Sequence, residues 1–262
     1  MTIFDAARFR ELWQRHDLAL GSPLTVLGTA TSTNDLALEA ARAGAAHGAT
    51  FVADQQTEGR GRQGRRWFGA AGESLLFSCL TRPALRTSEA TSLPLAAGLA
   101  LREVLSRHVP PDVVVELKWP NDVLASRKKI CGVLVETQLQ GSQLAAAVIG
   151  VGLNLRTTSF PDELLGSATS IVALGGVAPE PEALLLEVLL ELTRYLELVQ
   201  KSGLPALAVE LDRHDALKGR LVDIDGLKGR ARGLDPCGRL IVVDELGVER
   251  RVVSGHVILL DG

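Results

Sequence analysis

Two periods of apolar residues alternate along this chain and give its first half a regular order. Short apolar runs at 24–27, 50–54, 74–80, 113–118, 132–138 and 145–152 read as strands. Between them, T-S-T-N-D-L-A-L-E-A-A-R-A-G has helical spacing and closes at Gly44, and 93–107 repeats that spacing. A short amphipathic segment precedes the first strand, and Q-G-S-Q joins the last two as a hairpin. Strands and helices in this order predict an α+β unit: a mixed sheet with antiparallel hairpins and helices on one face.

Beyond residue 180 the pattern changes twice. The run from 180 to 201 keeps apolar residues at helical spacing and ends at Gly203, predicting one long amphipathic helix with a short one at 205–213. From Gly219 onward the runs shorten to 220–224, 229–234, 239–244, 249–253 and 256–260, punctuated by Asp235-Pro236-Cys237-Gly238 and Leu246-Gly247. This reads as a small β-barrel, too small to hold much core alone and expected to pack on the larger unit. The boundary is placed between a domain at 1–214 and a second at 215–262.

Composition narrows the class. With 262 residues, 46% of them apolar and 23% charged, the chain can bury a sizeable core. A net charge of -3 and a pI near 6.0 argue against DNA or general nucleic-acid binding, which needs a basic face. Three cysteines without C-x-x-C spacing indicate neither a disulfide framework nor a zinc site, and fit a reducing cytoplasm. The start M-T-I-F-D-A-A-R-F-R is charged where a signal peptide is apolar, and no long uninterrupted apolar run suggests a membrane partner. A soluble cytoplasmic protein is expected.

Charge is nevertheless concentrated in one place. From Gly59 to Arg66 the chain carries four arginines and three glycines. Arg60, Arg62, Arg65 and Arg66 repel one another, and Gly59, Gly61 and Gly64 add backbone entropy without packing, so the segment is unfavourable unless an anion compensates it. The spacing also matches G-x-G-x-x-G. A dinucleotide fold, however, needs small residues for close packing, a helix directly afterwards and an acid about 20 positions on. Here R-R-W-F follows, and backbone N–H groups with guanidinium forks surrounding a phosphate explain the residues better. A merely solvated basic loop is the competing explanation.

Other segments add polar groups. Ser32-Thr33-Asn34 stands at a helix entrance, where such residues serve as caps, and three short hydrogen-bonding side chains also suit a polar group such as a urea. Lys118-Trp119-Pro120-Asn121-Asp122 leaves an apolar strand; turn chemistry explains Pro120 and Asn121 but not Lys118, whose charge there calls for an anionic partner. Lys129-Ile130-Cys131-Gly132 opens a strand and Gly150-Val151-Gly152-Leu153-Asn154 closes one.

In this order, S-T-N, Q-T-E-G-R-G-R-Q-G-R-R-W, K-W-P-N-D, K-I-C-G-V-L-V-E and G-V-G-L-N-L resemble the motif series of the biotin protein ligases. The motifs run from Ser32 to Leu155, and the C-terminal strands resemble the SH3-like domain of that family. The resemblance implies a class II synthetase-like catalytic domain, of the monofunctional type because too few residues precede Ser32 for a DNA-binding domain. It further implies that biotin and ATP, with Mg2+ carried on the phosphates, give biotinyl-5'-AMP, which a lysine of a biotin carboxyl carrier domain then attacks. By matching position, Ser32, Thr33, Asn34 and Gln56 would hold the biotin head, with Gly132 nearby. Arg60, Gly61 and Arg62 would lie along its chain and the phosphate, and Lys118 would sit between carboxylate and α-phosphate. Arg65, Trp67, Asn121 and Asn154 would reach the nucleotide. Lys118 and Arg60 are the catalytic candidates, no protein metal ligand is assigned, and a homodimer through an exposed sheet edge is implied. Glu58 departs from the family pattern, which has a small residue there.

Two other readings stay open. A lipoate- or octanoate-type protein ligase would differ in accepting a dithiolane rather than a ureido ring. A nucleic-acid-binding protein would show strongly salt-dependent affinity.

Overall fold

The computed structural model describes residues 3–260. In chain order its elements are α1 (Ala6–Trp13), β1 (Leu24–Ala30), α2 (Thr33–Arg42), β2 (Thr50–Gln56), β3 (Ser74–Thr81), α3 (Ser92–His108), β4 (Val115–Lys118), β5 (Asp122–Ala125), β6 (Lys128–Gln140) and β7 (Gln143–Asn154). There follow α4 (Pro181–Ser202), α5 (Ala208–Arg213), β8 (Leu221–Ile224), β9 (Leu227–Leu234), β10 (Leu240–Asp244), β11 (Glu249–Val252) and β12 (Val257–Leu259).

Strands β1 to β7 form one mixed sheet in the order β1-β2-β3-β7-β6-β5-β4, parallel only between β1 and β2. Period-two alternation fixes which face each side chain takes. Leu75, Phe77 and Cys79 of β3 share a core with Ile149, Val151 and Leu153 of β7 and with α3, which is buried almost all round. The α4 helix packs on α3 as a second layer, and α1 packs on α4. Pro181 opens α4 and Gly203, at φ 69°, ends it. The helix α2 lies on the other face, where Ala37 and Ala41 meet Leu80, Ala146 and Val148. Its small alanines bring the helix close to the sheet, and that proximity puts its N-terminus within reach of the chemistry below.

One strand escapes the sequence pattern. The sequence places a turn after Lys118 and starts the next strand at 132, whereas β5 forms a hairpin with β4 and β6 begins at Lys128. The β5–β6 turn is built from Ser126 and Arg127, both at positive φ (47° and 66°), without the Asn or Gly that marks such turns.

Strands β8 to β12 form a separate antiparallel sheet in the order β11-β10-β9-β8-β12. Val222, Ile224, Ala231, Leu240, Val242 and Val257 are buried in the same continuous core as Leu207, Leu211 and Leu217. The junction also seals the β4 side of the large sheet. The Leu117 N–H donates to the His214 carbonyl (2.8 Å), the Ala216 N–H donates to the Leu117 carbonyl (2.9 Å), and Arg102 Nε reaches the Val115 carbonyl (3.3 Å). Trp119 Nε1 donates to the Gly238 carbonyl at 3.0 Å, tying the turn after Lys118 to the β9–β10 turn.

All three cysteines are free thiols. Burial pushes the Cys79 thiol up to about 12 and raises that of Cys131 too, whereas Cys237 is exposed. Thiolates are the reactive form. Mass spectrometry after iodoacetamide at pH 8 is therefore expected to find Cys237 alone modified in the native protein and all three after denaturation.

Candidate functional site

A cavity of about 490 Å³ opens on the α2 side of the large sheet, where Gly132, Gly150 and Gly152 of β6 and β7 lie at its base. Gly132 and Gly152 are directly paired. A Cβ at Gly150 would stand 1.9 Å from Asn34 Oδ1, and one at Gly152 would stand 2.4 Å from the Trp67 indole. The floor is thus bare backbone because the Asn34 and Trp67 side chains lie against it.

The wall beside Gly150 is a chain of short hydrogen bonds. Ser32 holds the N-cap position of α2 but makes no side-chain cap bond, so its hydroxyl is not spent on the helix. Gln56 satisfies the helix end instead, its Oε1 accepting from the Thr33 N–H at 2.7 Å, which leaves Nε2 as a donor. Ser78, buried in β3, donates from Oγ to Asn34 Oδ1 (2.5 Å), so the one Thr33 hydroxyl proton is shared between Ser78 Oγ at 2.7 Å and Gln56 Oε1 at 3.1 Å. Asn34 Nδ2 donates to the Leu134 carbonyl (3.3 Å) and to Glu136 Oε2 (2.9 Å).

The basic segment folds into a small hairpin. Trp67 N–H donates to the Gly59 carbonyl (2.8 Å) and Gly61 N–H to the Arg65 carbonyl (2.7 Å), with Gln63 and Gly64 at positive φ at the tip. Arg60 leaves this hairpin to pair with Asp35 of α2 and with Glu136 of β6 (2.9 Å). Exposed pairs of this kind contribute about 0–1 kcal/mol each. Two of them hold the hairpin against the wall. Trp67 lies over the floor with Lys129 Nζ 5.5 Å from its ring centre, and its buried Nε1 has no partner among the described residues.

Cations gather at the other end. Lys118 closes β4, half-buried, and its Nζ makes no hydrogen bond or ion pair to the described residues. Burial lowers its pKa from the ordinary 10.5, with Lys129 and Arg65 adding to the effect and Asp122 opposing it. Arg62 is likewise lowered by burial, opposed by Asp122. The C-terminal sheet contributes Gly255, His256 and Val257 to this end. Burial, then Arg65 and Lys118, push the His256 imidazole below 6.5, which keeps it neutral at pH 7.

All of Ser32, Thr33, Asn34, Gln56, Arg60, Gly61, Arg62, Arg65, Trp67, Lys118, Asn121, Gly132 and Asn154 line this one cavity. Two of them have their amide donors engaged by backbone: Asn121 Nδ2 with the Val133 carbonyl (2.6 Å) and Asn154 Nδ2 with the Thr169 carbonyl (3.0 Å). Sequence reasoning missed Ser78, Asp35, Glu136 and His256. Ser78 carried a signal, a hydroxyl in the middle of the apolar run S-L-L-F-S-C-L; the others did not.

A family model described as the Biotin/lipoate A/B protein ligase family matches residues 27–154. The chain is 34% identical over 246 residues to the biotin–acetyl-CoA-carboxylase ligase of Mycobacterium tuberculosis, covering 90% of this chain and 89% of that one. It is 30% identical over 241 residues to the bifunctional ligase/repressor BirA of Salmonella typhimurium, covering 90% and 74%. Among solved structures, biotin protein ligase from Aquifex aeolicus in complex with biotin and ATP superposes with a TM-score of 0.77 at 28% identity, covering 91% of this chain and 98% of that one.

Proposed function

This chain belongs to the biotin protein ligase family, and from that premise we propose that its cavity binds biotin at the α2 wall and ATP at the cationic end. It is an ATP-dependent ligase. The biotin carboxylate attacks the α-phosphate, releasing pyrophosphate and leaving biotinyl-5'-AMP. A lysine amine of a biotin carboxyl carrier domain then attacks the acyl carbon, AMP departs and an amide forms. The observation that carries this reading is the meeting, in one cavity, of a short polar wall with a cluster of half-buried and exposed cations.

The chemistry of the wall supports the biotin end. A ureido ring offers two N–H donors and one carbonyl acceptor. Ser32 and Gln56 Nε2 supply donors, and Thr33 and Asn34 supply oxygen acceptors, so the set complements a urea and would be left unpaired by a dithiolane or a plain acyl chain. Arg60, Gly61 and Arg62 lie along the path to the phosphate. At the other end the first step brings two anions together, and Lys118 is a half-buried cation with no hydrogen-bond or ion-pair partner among the described residues. The unpartnered Trp67 Nε1 and the Arg65 guanidinium favour a nucleotide there, with Asn121 and Asn154 shaping its edge. Magnesium bound to ATP would neutralise phosphate charge, and among the described residues no group of three His, Cys, Asp or Glu side chains could hold a metal unaided. Catalysis by the chain itself is positional and electrostatic.

The remaining assignments follow from the same premise. Residues 1–214 form the catalytic domain, and 215–262 a small SH3-like domain that closes the cavity near Lys118. The unpaired outer side of β1 favours a homodimer. Net charge -3 speaks against a DNA partner, and three free thiols favour the cytoplasm. No described helix is long and apolar enough to cross a membrane.

The test is biotin-dependent exchange of labelled pyrophosphate into ATP, with lipoate and octanoate in parallel. Exchange with biotin alone is expected; exchange with either other acid instead would reassign the substrate. A related result concerns the lid. Because Arg60 fastens the hairpin through Asp35 and Glu136, Arg60→Ala is expected to release preformed adenylate about tenfold faster in a filter-retention assay. Unchanged retention would remove the lid role.

A further inference from the structure

Glu136 does not line the cavity, yet it touches two residues that do. Its Oε2 accepts from Asn34 Nδ2 and from an Arg60 guanidinium nitrogen, both at 2.9 Å, and Oε1 lies 3.2 Å from the same nitrogen. It stands in β6 opposite Val148 of β7, so its backbone is fixed by the central hairpin of the sheet. One carboxylate therefore joins the polar wall to the basic hairpin.

The consequence for Asn34 is one of polarity. The two ends of an amide are nearly the same size, and a half-turn about the side chain exchanges donor for acceptor. Ser78 at Oδ1 and the Leu134 carbonyl at Nδ2 favour one orientation, the second only at 3.3 Å. Glu136 adds a nearer acceptor at 2.9 Å, so an amide turned the other way would set its oxygen against two acceptors. For Arg60 the consequence is position: Glu136 and Asp35 hold its guanidinium against the wall from two elements, β6 and α2.

We propose that Glu136 is a positioning residue of the biotin ligase reaction, fixing the donor–acceptor polarity of Asn34 for the ureido ring and clasping Arg60 so that the hairpin stays closed over the adenylate. The proposal rests on the biotin reading above and assigns one residue to two separable tasks.

Glutamine separates them. In Glu136→Gln the amide oxygen still accepts from Asn34, while the charge that clasps Arg60 is gone; Glu136→Ala removes both. Biotin affinity by titration calorimetry and adenylate retention by rapid gel filtration are measured on wild type and both variants, together with the biotin KM in pyrophosphate exchange. Glu136→Ala is expected to weaken biotin about tenfold, mostly in KM, and to leak adenylate as fast as Arg60→Ala. Glu136→Gln is expected to bind biotin within about threefold of wild type yet leak as fast as Glu136→Ala. Biotin affinity in Glu136→Gln equal to that of Glu136→Ala, or wild-type retention in Glu136→Gln, overturns the proposal. Wild type without affinity for biotin would overturn the functional reading and this inference with it. Wild type that binds biotin normally, beside a Glu136→Ala that matches it, would overturn the inference alone.

Discussion

Lys118→Ala is expected to slow biotin adenylation about a thousandfold, in the range seen when a preorganised electrostatic donor is removed from a water-excluded site. The argument is one of unspent charge. Asp122 and Lys129 pair with each other at 2.6 Å and Arg60 is held by two carboxylates, whereas Lys118 Nζ has no hydrogen-bond or ion-pair partner among the described residues. A half-buried ammonium in that position is destabilising until an anion arrives, and the lowered pKa records the same fact. Removing it should leave the melting temperature unchanged or slightly raised, because no bond in the fold depends on it. Single-turnover formation of biotinyl-5'-AMP is the measurement; a rate within tenfold of wild type would mean that the charge at Lys118 is dispensable. The pH dependence carries a sign. Burial favours the neutral amine, and the proposed role needs the cation, so the alkaline limb of kcat/KM, which reports the free enzyme, should fall at a pH below 10.5.

The second large effect is expected at the floor. In Gly150→Ala the new methyl would overlap Asn34, which cannot swing aside cheaply because Ser78, the Leu134 carbonyl and Glu136 hold both ends of its amide. In Gly152→Ala the methyl would stand inside contact distance of three indole atoms of Trp67, forcing the ring off the floor. Each change disrupts more than one interaction, so a loss of about a hundredfold in affinity is expected. The two losses should fall on different substrates: Gly150→Ala on the KM for biotin and Gly152→Ala on the KM for ATP. Steady-state pyrophosphate exchange with each substrate varied in turn separates them. Equal losses on both substrates in both variants would mean that the floor acts as one unit and that the division of the cavity is wrong.

Many of the residues that line this cavity were legible in the sequence, a few through their short-range chemistry and the rest through the motif series they belong to. The arginine–glycine run called for an anion through its own repulsion, and Lys118 stood out as a charge at the exit of an apolar strand; both line the cavity. Long-range pairing hid the rest. Nothing local shows that Gly132 will face Gly152 or that Asn34 will lie on Gly150; the β6–β7 register and the approach of α2 decide both. Glu136 reads as an ordinary polar end to V-L-V-E until β6 brings it beside Arg60. His256 reads as the start of a short strand until the second sheet docks. The β5 strand was hidden for a different reason: a turn carried by Ser126 and Arg127 in left-handed conformations breaks the residue preferences from which hairpins are recognised. Ser32 illustrates the limit of a local rule. It sits where a cap belongs, but Gln56 does the capping through the Thr33 N–H.

The sealing of β4 bears on how copies of this chain can assemble. A sheet normally offers two edges, and strand addition at both would propagate without end. Here both backbone groups of Leu117 and the Val115 carbonyl are taken by His214, Ala216 and Arg102, so within the large sheet β1 is the edge whose outer side has no strand paired to it among the described residues. With one such edge, joining large sheets about a two-fold axis closes at two copies and leaves no second edge of that sheet to extend. Growth of the large sheet past β4 is opposed by the same two residues, His214 and Ala216, that fasten the C-terminal segment beside Lys118.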